Sequence, residues 1–218
     1  FRLSTQTGEM SKPDLAYGSK RDRYLVVWGR KLYEEKRSEI IGMSVGPNGA
    51  ILGEAFRMSF SNVYDERAAV AYCPGSDRFL VTWERLTQYD FEGGDADVVG
   101  QLIEGDGLTP VGSNFVIASS DRNQFKPDVA CDVVNNRFLV VWEDQRQLAT
   151  QDDIYAQLIS PDGALLGTSV LVSGTTNIER RPVVAANTRD GTYFVAWESQ
   201  DAAGLHMVGD LAGRIVVD

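Results

Sequence analysis

Hydrophobic positions fall into short runs of four to seven residues, rich in Val, Ile, Phe and Tyr and separated by Gly, Asn, Asp and Pro. Runs of that length and composition, bounded by turn residues, predict strands and turns rather than helices. The runs also recur. Arg23-Tyr-Leu-Val-Val-Trp28, Arg78-Phe-Leu-Val-Thr-Trp83, Arg137-Phe-Leu-Val-Val-Trp142 and Thr192-Tyr-Phe-Val-Ala-Trp197 hold all four tryptophans, at spacings of 55, 59 and 55 residues. A self-similar period of that size is the signature of a repeat architecture.

Each Trp phrase follows a run opened by a basic residue: Lys12-Pro-Asp-Leu-Ala, Arg67-Ala-Ala-Val-Ala, Lys126-Pro-Asp-Val-Ala and Arg181-Pro-Val-Val-Ala. A third run comes after a loop of variable length, as Ile40-Ile-Gly-Met-Ser-Val, Val98-Val-Gly-Gln-Leu-Ile, Ile154-Tyr-Ala-Gln-Leu-Ile and the shortened Met207-Val-Gly-Asp-Leu. Turns at Pro47-Asn-Gly, Gly105-Asp-Gly and Pro161-Asp-Gly lead into a fourth run such as Phe56-Arg-Met-Ser or Val170-Leu-Val-Ser. Each unit reads as a four-stranded antiparallel meander. The expected fold is all-β, a four-bladed β-propeller filling one domain over residues 1–218, with blades at about 12–66, 67–125, 126–180 and 181–218 plus 1–11. The four Trp side chains are expected between blades. Phe1-Arg-Leu-Ser-Thr-Gln-Thr matches the fourth runs at Phe56 and Phe115, so the N-terminal strand is expected to complete the last blade beside Met207–Leu211, leaving no long unpaired edge.

The combination of Pro-x-Val-Ala, Arg137-Phe-Leu-Val-Val-Trp-Glu-Asp144, Asp153-Ile-Tyr-Ala-Gln-Leu158 and Pro161-Asp-Gly resembles the propeller-type repeats of large bacterial secreted and surface proteins. The resemblance covers essentially the whole chain and is clearest in the third repeat. It implies a secreted or cell-surface location and a propeller fold, and carries little chemistry with it.

Composition narrows the function. The 218 residues are 43% hydrophobic and 24% charged, enough for a substantial core. A net charge of −10 opposes binding to nucleic acid or an anionic membrane surface. No apolar stretch approaches the roughly 18 residues a membrane span needs. A start at Phe1 reads as a chain processed or excised from something longer. Cys73 and Cys131 fall one register step apart on different repeats, which points them to opposite faces of their strands and reads as two free, buried thiols.

His206 is the only histidine, and no GxSxG, P-loop or dinucleotide fingerprint is present, which removes His-based hydrolytic triads and multi-imidazole zinc sites. Carboxylates remain. Glu84, Glu143 and Glu198 each follow a strand-two Trp, and Glu39, Asp97 and Asp153 each precede strand three, where the fourth repeat has His206. The basic residues Lys12, Arg67, Lys126 and Arg181 open strand one of every repeat on the same face, nearer the axis. Mutual neutralisation is the simplest reading of the two rings. As candidate ligand-binding residues we take Lys12, Arg67, Lys126, Arg181, Glu84, Glu143, Glu198, Asp97 and Asp153, for an anion or polar ligand over the central channel. No cofactor is expected. The acidic loops Asp90–Asp97 and Gln151–Asp153 carry oxygen ligands of the kind calcium prefers but lack the order of known calcium loops.

Three functions fit these features: a noncatalytic binding or scaffold module with a protein or glycan ligand on its long-loop face; a glycan hydrolase using loop carboxylates; or an assembly module pairing into a larger ring. A lectin-like version of the first would use loop residues such as Tyr33, Tyr89 and Phe91. Monomer and dimer are both compatible with the pattern.

Overall fold

A computed structural model describes residues 2–3, 7–87, 95–147, 152–201 and 209–217, which form fifteen strands and no helix. The first meander contains β1 (Glu9–Gly18), β2 (Arg23–Leu32), β3 (Arg37–Val45) and the short β4 (Phe56–Arg57). The second contains β5 (Tyr64–Cys73), β6 (Arg78–Leu86), β7 (Ala96–Glu104) and β8 (Pro110–Ala118). The third runs through β9 (Gln124–Asp132), β10 (Arg137–Asp144), β11 (Asp153–Ile159) and β12 (Leu165–Ser173). The last has β13 (Ile178–Ala186), β14 (Tyr193–Gln200) and β15 (Asp210–Val216). Every pairing inside a meander is antiparallel, and one parallel bridge, Ser38 to Tyr64, joins the first two at an edge.

Two local devices repeat. The turns from first to second strand put Asp22, Asp77, Asn136 and Gly191 in the left-handed region, with φ of 50°, 54°, 52° and 74°. Asp, Asn and Gly are the residues that tolerate it. Each first strand also carries a β-bulge, and the residue inside it is the basic one: Lys12, Arg67, Lys126 and Arg181 have φ of 47°, 54°, 51° and 51°. Bulged residues leave the ladder of their own sheet, and that frees the backbone N–H groups used below. Three of the four bulges continue with proline, which has no N–H to lose.

Packing follows the strand period. Phe79, Val81 and Trp83 of β6 lie against Leu25 and Val27 of β2; Phe138, Val140 and Trp142 of β10 lie against Leu80 of β6; Tyr193, Val195 and Trp197 of β14 lie against Leu139 and Val141 of β10. Each meander therefore buries its Trp-bearing face on the Leu-bearing face of the one before. All four Trp side chains are buried, as their spacing predicts. The first strands β1, β5, β9 and β13 are packed in that order around a common axis.

Three expectations need revision. Cys73 and Cys131 are not free thiols; they form a disulfide, with Cα atoms 5.4 Å apart. They do point to opposite faces of their sheets, but consecutive meanders meet through opposite faces, so this parity brings the two sulfurs together. The third strand of the last repeat is Asp210–Val216 rather than Met207–Leu211. Gly42 pairs with Val27 and Gly100 with Thr82, and the residue pairing with Ala196 is Gly213, not Gly209. Two Gly-containing phrases compete there, and the later one places Ala212 and Val216 against the third meander. The strand-three acid of that repeat is then Asp210, paired with Ser199, in the role assigned to His206. The pairing expected of Phe1–Thr7 with the last blade falls mostly on residues 1, 4–6 and 202–208, outside the described residues. Leu3, which is described, packs in the cluster of Trp28 in the first meander.

The disulfide closes a separation of 58 residues between neighbouring meanders. A Cys73→Ala/Cys131→Ala double variant should lose about 4 kcal/mol of unfolding free energy in a denaturant titration under non-reducing conditions. A loss below about 1 kcal/mol would show that the second and third meanders are held in register by packing alone.

Candidate functional site

The four bulges converge. Lys12, Pro13 and Asp14 of β1, Arg67, Ala68 and Ala69 of β5, Lys126, Pro127 and Asp128 of β9, and Arg181, Pro182 and Val183 of β13 line one cavity of about 420 Å³ on the axis. Its wall is backbone at bulges rather than flexible loop, which fixes the positions of the side chains that project from it.

Behind the basic residues runs a chain of carboxylates. Arg67 Nη1 donates to Glu84 Oε1 at 2.5 Å, and the backbone N–H of Lys126 donates to Glu84 Oε2 at 3.0 Å. Lys126 Nζ donates to Glu143 Oε2 at 2.9 Å, and the N–H of Arg181 donates to Glu143 Oε1 at 2.5 Å. Each of these glutamates thus binds the side chain of its own meander and the bulge N–H of the next. Both are buried, and burial pushes the Glu143 carboxyl up even though Lys126 and the Arg181 N–H oppose it. Glu198 repeats the first half only: Arg181 Nη1 donates to both its oxygens, at 3.0 and 3.1 Å.

The first repeat breaks the pattern, because Gly29 stands where the others have Glu. Lys12 consequently makes no ion pair within 4.0 Å among the described residues. Partial burial, and then the neighbouring Arg67, hold its ammonium pKa below the ordinary value. Lys12 is the cavity's cation without a glutamate of its own.

Of the nine sequence-derived candidates, Lys12, Arg67, Lys126 and Arg181 line the cavity, and Glu84, Glu143 and Glu198 are joined to three of them. Asp97 and Asp153 are not in the lining. They lie at the N-terminal ends of β7 and β11, where they pair across the sheet with Arg85 and Asp144. Tyr33 is exposed on the loop between β2 and β3, whereas Tyr89 and Phe91 lie outside the described residues. So does most of the acidic loop Asp90–Asp97. In the other acidic loop, Asp152 accepts from Arg180 Nε and Gln145 Nε2, each at 2.7 Å.

Two functional candidates escaped the sequence reading: Asp14 and Asp128. Asp14 Oδ2 accepts the Val70 N–H at 2.8 Å, and Asp128 Oδ2 accepts the Val184 N–H at 2.7 Å. Burial raises the Asp128 pKa to about 6 against two backbone N–H bonds that lower it, and the Asp14 charge raises it further. Their signal was the Lys-Pro-Asp triplet shared by repeats one and three, whose acid sits directly after the bulge.

No family model matches the chain, and no curated protein matches its sequence. Solved structures share its fold at very low identity. A protein of unknown function from Dyadobacter fermentans superposes with a TM-score of 0.65 at 10% identity, over 93% of this chain and 64% of that one. An endo-arabinase from Bacteroides thetaiotaomicron gives 0.60 at 10% identity, over 94% and 74%. An α-L-arabinanase from Penicillium chrysogenum, complexed with arabinobiose, gives 0.61 at 11% identity, over 95% and 57%. The chain spans about two-thirds of the Dyadobacter protein's length and is, like the two arabinanases, a β-propeller.

Proposed function

We propose that this chain is a set of four propeller blades acting as a noncatalytic carbohydrate-binding module of a secreted or cell-surface protein, with its ligand seated in the axial cavity. The observation that carries this reading is the convergence of four bulged, basic first strands on one cavity of about 420 Å³. A cavity of that size suits a mono- or disaccharide. Its composition suits a sugar as well. Lys12, Asp14 and Asp128 can bond hydroxyls, while Pro13 and Val183 present apolar surface to the C–H face of the ring. Solved neighbours of this fold include arabinanases and a deacetylase in complex with blood group B trisaccharide. Two of the carboxylates that catalysis could use are occupied: Glu84 and Glu143 each hold a cation and a backbone N–H.

One observation favours the hydrolase reading instead. Asp128 keeps a proton to about pH 6 beside the charge of Asp14, as a general acid with a carboxylate partner would. The two readings separate cleanly. Calorimetric titration with arabinobiose, blood group B trisaccharide and a sialylated glycan should find a ligand that is not cleaved. Lys12→Glu should then weaken its binding at least about 10-fold, roughly 1.4 kcal/mol. Asp162→Asn, on the opposite turn face, should leave it unchanged. Release of reducing sugar by the native chain, abolished in Asp128→Asn with binding intact, would instead establish the hydrolase.

The Asp128 pKa also fixes a pH dependence. Its folded value of about 6 lies above the ordinary 3.8, so the folded chain holds this proton more tightly than the unfolded chain does. That contribution to stability is present at low pH and is lost as pH rises from about 4 to about 6. Relative to Asp128→Asn, the native chain should lose roughly 1 to 3 kcal/mol across that window in denaturant titrations at stepped pH. A flat difference would mean that folding does not raise the Asp128 pKa.

A further inference from the structure

The outer strand of the second meander carries a bulge that the third meander repeats. Gly100 pairs with Phe115 and Leu102 with Val111, which leaves Gly112, Ser113 and Asn114 opposite Gln101. Ala156 pairs with Val170 and Leu158 with Leu166, which leaves Gly167, Thr168 and Ser169 opposite Gln157. The two glycines take φ of 67° and 69°, and each glutamine Nε2 donates across the bulge, to the carbonyls of Val111 and Leu166 at 2.9 and 3.0 Å. The surroundings then differ. In the third meander Arg146 reaches the bulge: its guanidinium lies 4.2 Å from the Tyr155 ring centre, donates to Ser169 Oγ at 3.3 Å and is neutralised by Asp144 at 2.6 Å. The second meander has the short Thr87 at that position. Beside its bulge opens a cavity of about 350 Å³, lined by Phe60, Ser61, Arg85, Gly112, Ser113 and Asn114.

The lining departs from the repeat where a structural role would have kept to it. Phe60 follows the outer strand of the first meander, where the next two have Ser119 and Gly174, and its ring is 67% exposed rather than part of the core. Asn114 replaces Ala55 and Ser169 and ties the bulge to the first meander. Its Oδ1 accepts the Phe60 N–H at 3.3 Å and its Nδ2 donates to the Met58 carbonyl at 3.0 Å. Arg85 stands where the third and fourth repeats have Asp144 and Ser199; the first has Arg30, which is closed off by Glu39. Arg85 Nε donates to the buried Asp65 Oδ1 at 2.9 Å, an oxygen that also accepts from Trp83 Nε1 at 2.8 Å. Among the described residues nothing pairs with the two Nη groups of Arg85, its cross-strand neighbour Asp97 included. The guanidinium is thus anchored through one nitrogen with its outer fork open, and that fork is the edge that binds a carboxylate bidentately. Arg57 brings further positive charge, 5.8 Å from the Phe60 ring centre, because its partner Glu39 is shared with Arg30 and Arg37.

We propose that this cavity, at the seam of the first two meanders and with no residue in common with the axial one, is a second ligand site, and that it takes a carboxylated sugar of the hexuronic acid type. The carboxylate pairs with the Nη fork of Arg85, and a C–H face of the ring rests on Phe60. Ser113, whose side chain makes no hydrogen bond among the described residues, takes a ring hydroxyl. A volume of about 350 Å³ admits one sugar ring with its carboxylate. A neutral sugar would leave the Arg85 fork without a partner, and a bare anion would leave Phe60 uncovered. Only a ligand with both parts accounts for both departures from the repeat. The site is independent of what the axial cavity holds.

Calorimetric titration of the 218-residue chain with methyl glucuronide, methyl glucoside and acetate tests it. The glucuronide should bind. Phe60→Ser, which installs the residue of the next repeat at an exposed position, should weaken that binding at least about 10-fold while the melting temperature stays the same. Arg85→Gln should weaken it as much; Asp65 loses a donor in that variant, so its melting temperature is read alongside, and the Phe60 variant carries the test if it falls. Glucoside binding as tight as glucuronide binding would overturn the acidic ligand. Acetate binding as tight would overturn the sugar in favour of a bare anion. Glucuronide binding that survives Phe60→Ser but is lost in Lys12→Glu would belong to the axial cavity and overturn the second site. No binding at millimolar glucuronide would overturn the proposal outright and leave the axial reading, tested with other sugars, standing.

Discussion

Every feature of this chain depends on one constraint: a meander of this repeat is apolar on both faces. Leu25, Leu80 and Leu139 point to one side of their sheets, and Trp83, Trp142 and Trp197 to the other. A sheet with one apolar face can rest on a helix layer or a second sheet, but one with two must be sandwiched. Repetition answers that demand, because each unit supplies the cover its neighbour lacks. The axis, the cavity and the interblade disulfide all follow from stacking unlike faces in a fixed sense.

Apolar stacking sets the order of the blades but leaves each free to slide along its neighbour. The polar chain at the bulges removes that freedom. A lysine or arginine with φ near 50° carries a conformational cost of order 1 kcal/mol, incurred four times at the same place. In return the bulge N–H leaves its own ladder and can reach a neighbour, and at Lys126 and Arg181 it meets a buried glutamate of the preceding blade. Hydrogen bonds to a charged acceptor contribute roughly 1.5 to 3 kcal/mol each, enough to offset the strain and select one register. The basic side chain then neutralises that same row of acids from the side facing the cavity.

Much of this was legible in the residues and some of it could not be. The Trp phrases and the turn residues gave the strands and the burial of the tryptophans. The opening Lys and Arg residues marked the cavity wall, since position in a repeat survives folding. Relations between neighbouring repeats were harder. That Cys73 and Cys131 point to opposite faces was a correct inference, and it became a wrong one about free thiols because consecutive blades meet through opposite faces. The last third strand was misplaced by four residues, between Met207-Val-Gly and Leu211-Ala-Gly, because a Gly after two apolar residues is the pattern and both phrases fit it. Asp97 and Asp153 recur as regularly as the glutamates, yet recurrence alone does not say which edge of a strand faces the axis.

The axis itself is less symmetric than the fold. The second position after the basic residue is Asp14, Ala69, Asp128 and Val183 in successive repeats, so acid alternates with apolar residue. This alternation satisfies the backbone. Asp14 of β1 accepts the Val70 N–H of β5 and Asp128 of β9 accepts the Val184 N–H of β13, so each acid joins its own first strand to the next and the repeat that follows needs no acceptor of its own. Two carboxylates can therefore serve four first strands, and the economy leaves the cavity with two polar and two apolar sides. With Lys12 as the cation that has no glutamate behind it, the charge in the cavity is concentrated on the first and third repeats. A ring of nearly equivalent blades thereby acquires a direction across its axis, which repetition of the scaffold alone could not provide, and an asymmetric ligand could be held in a single orientation.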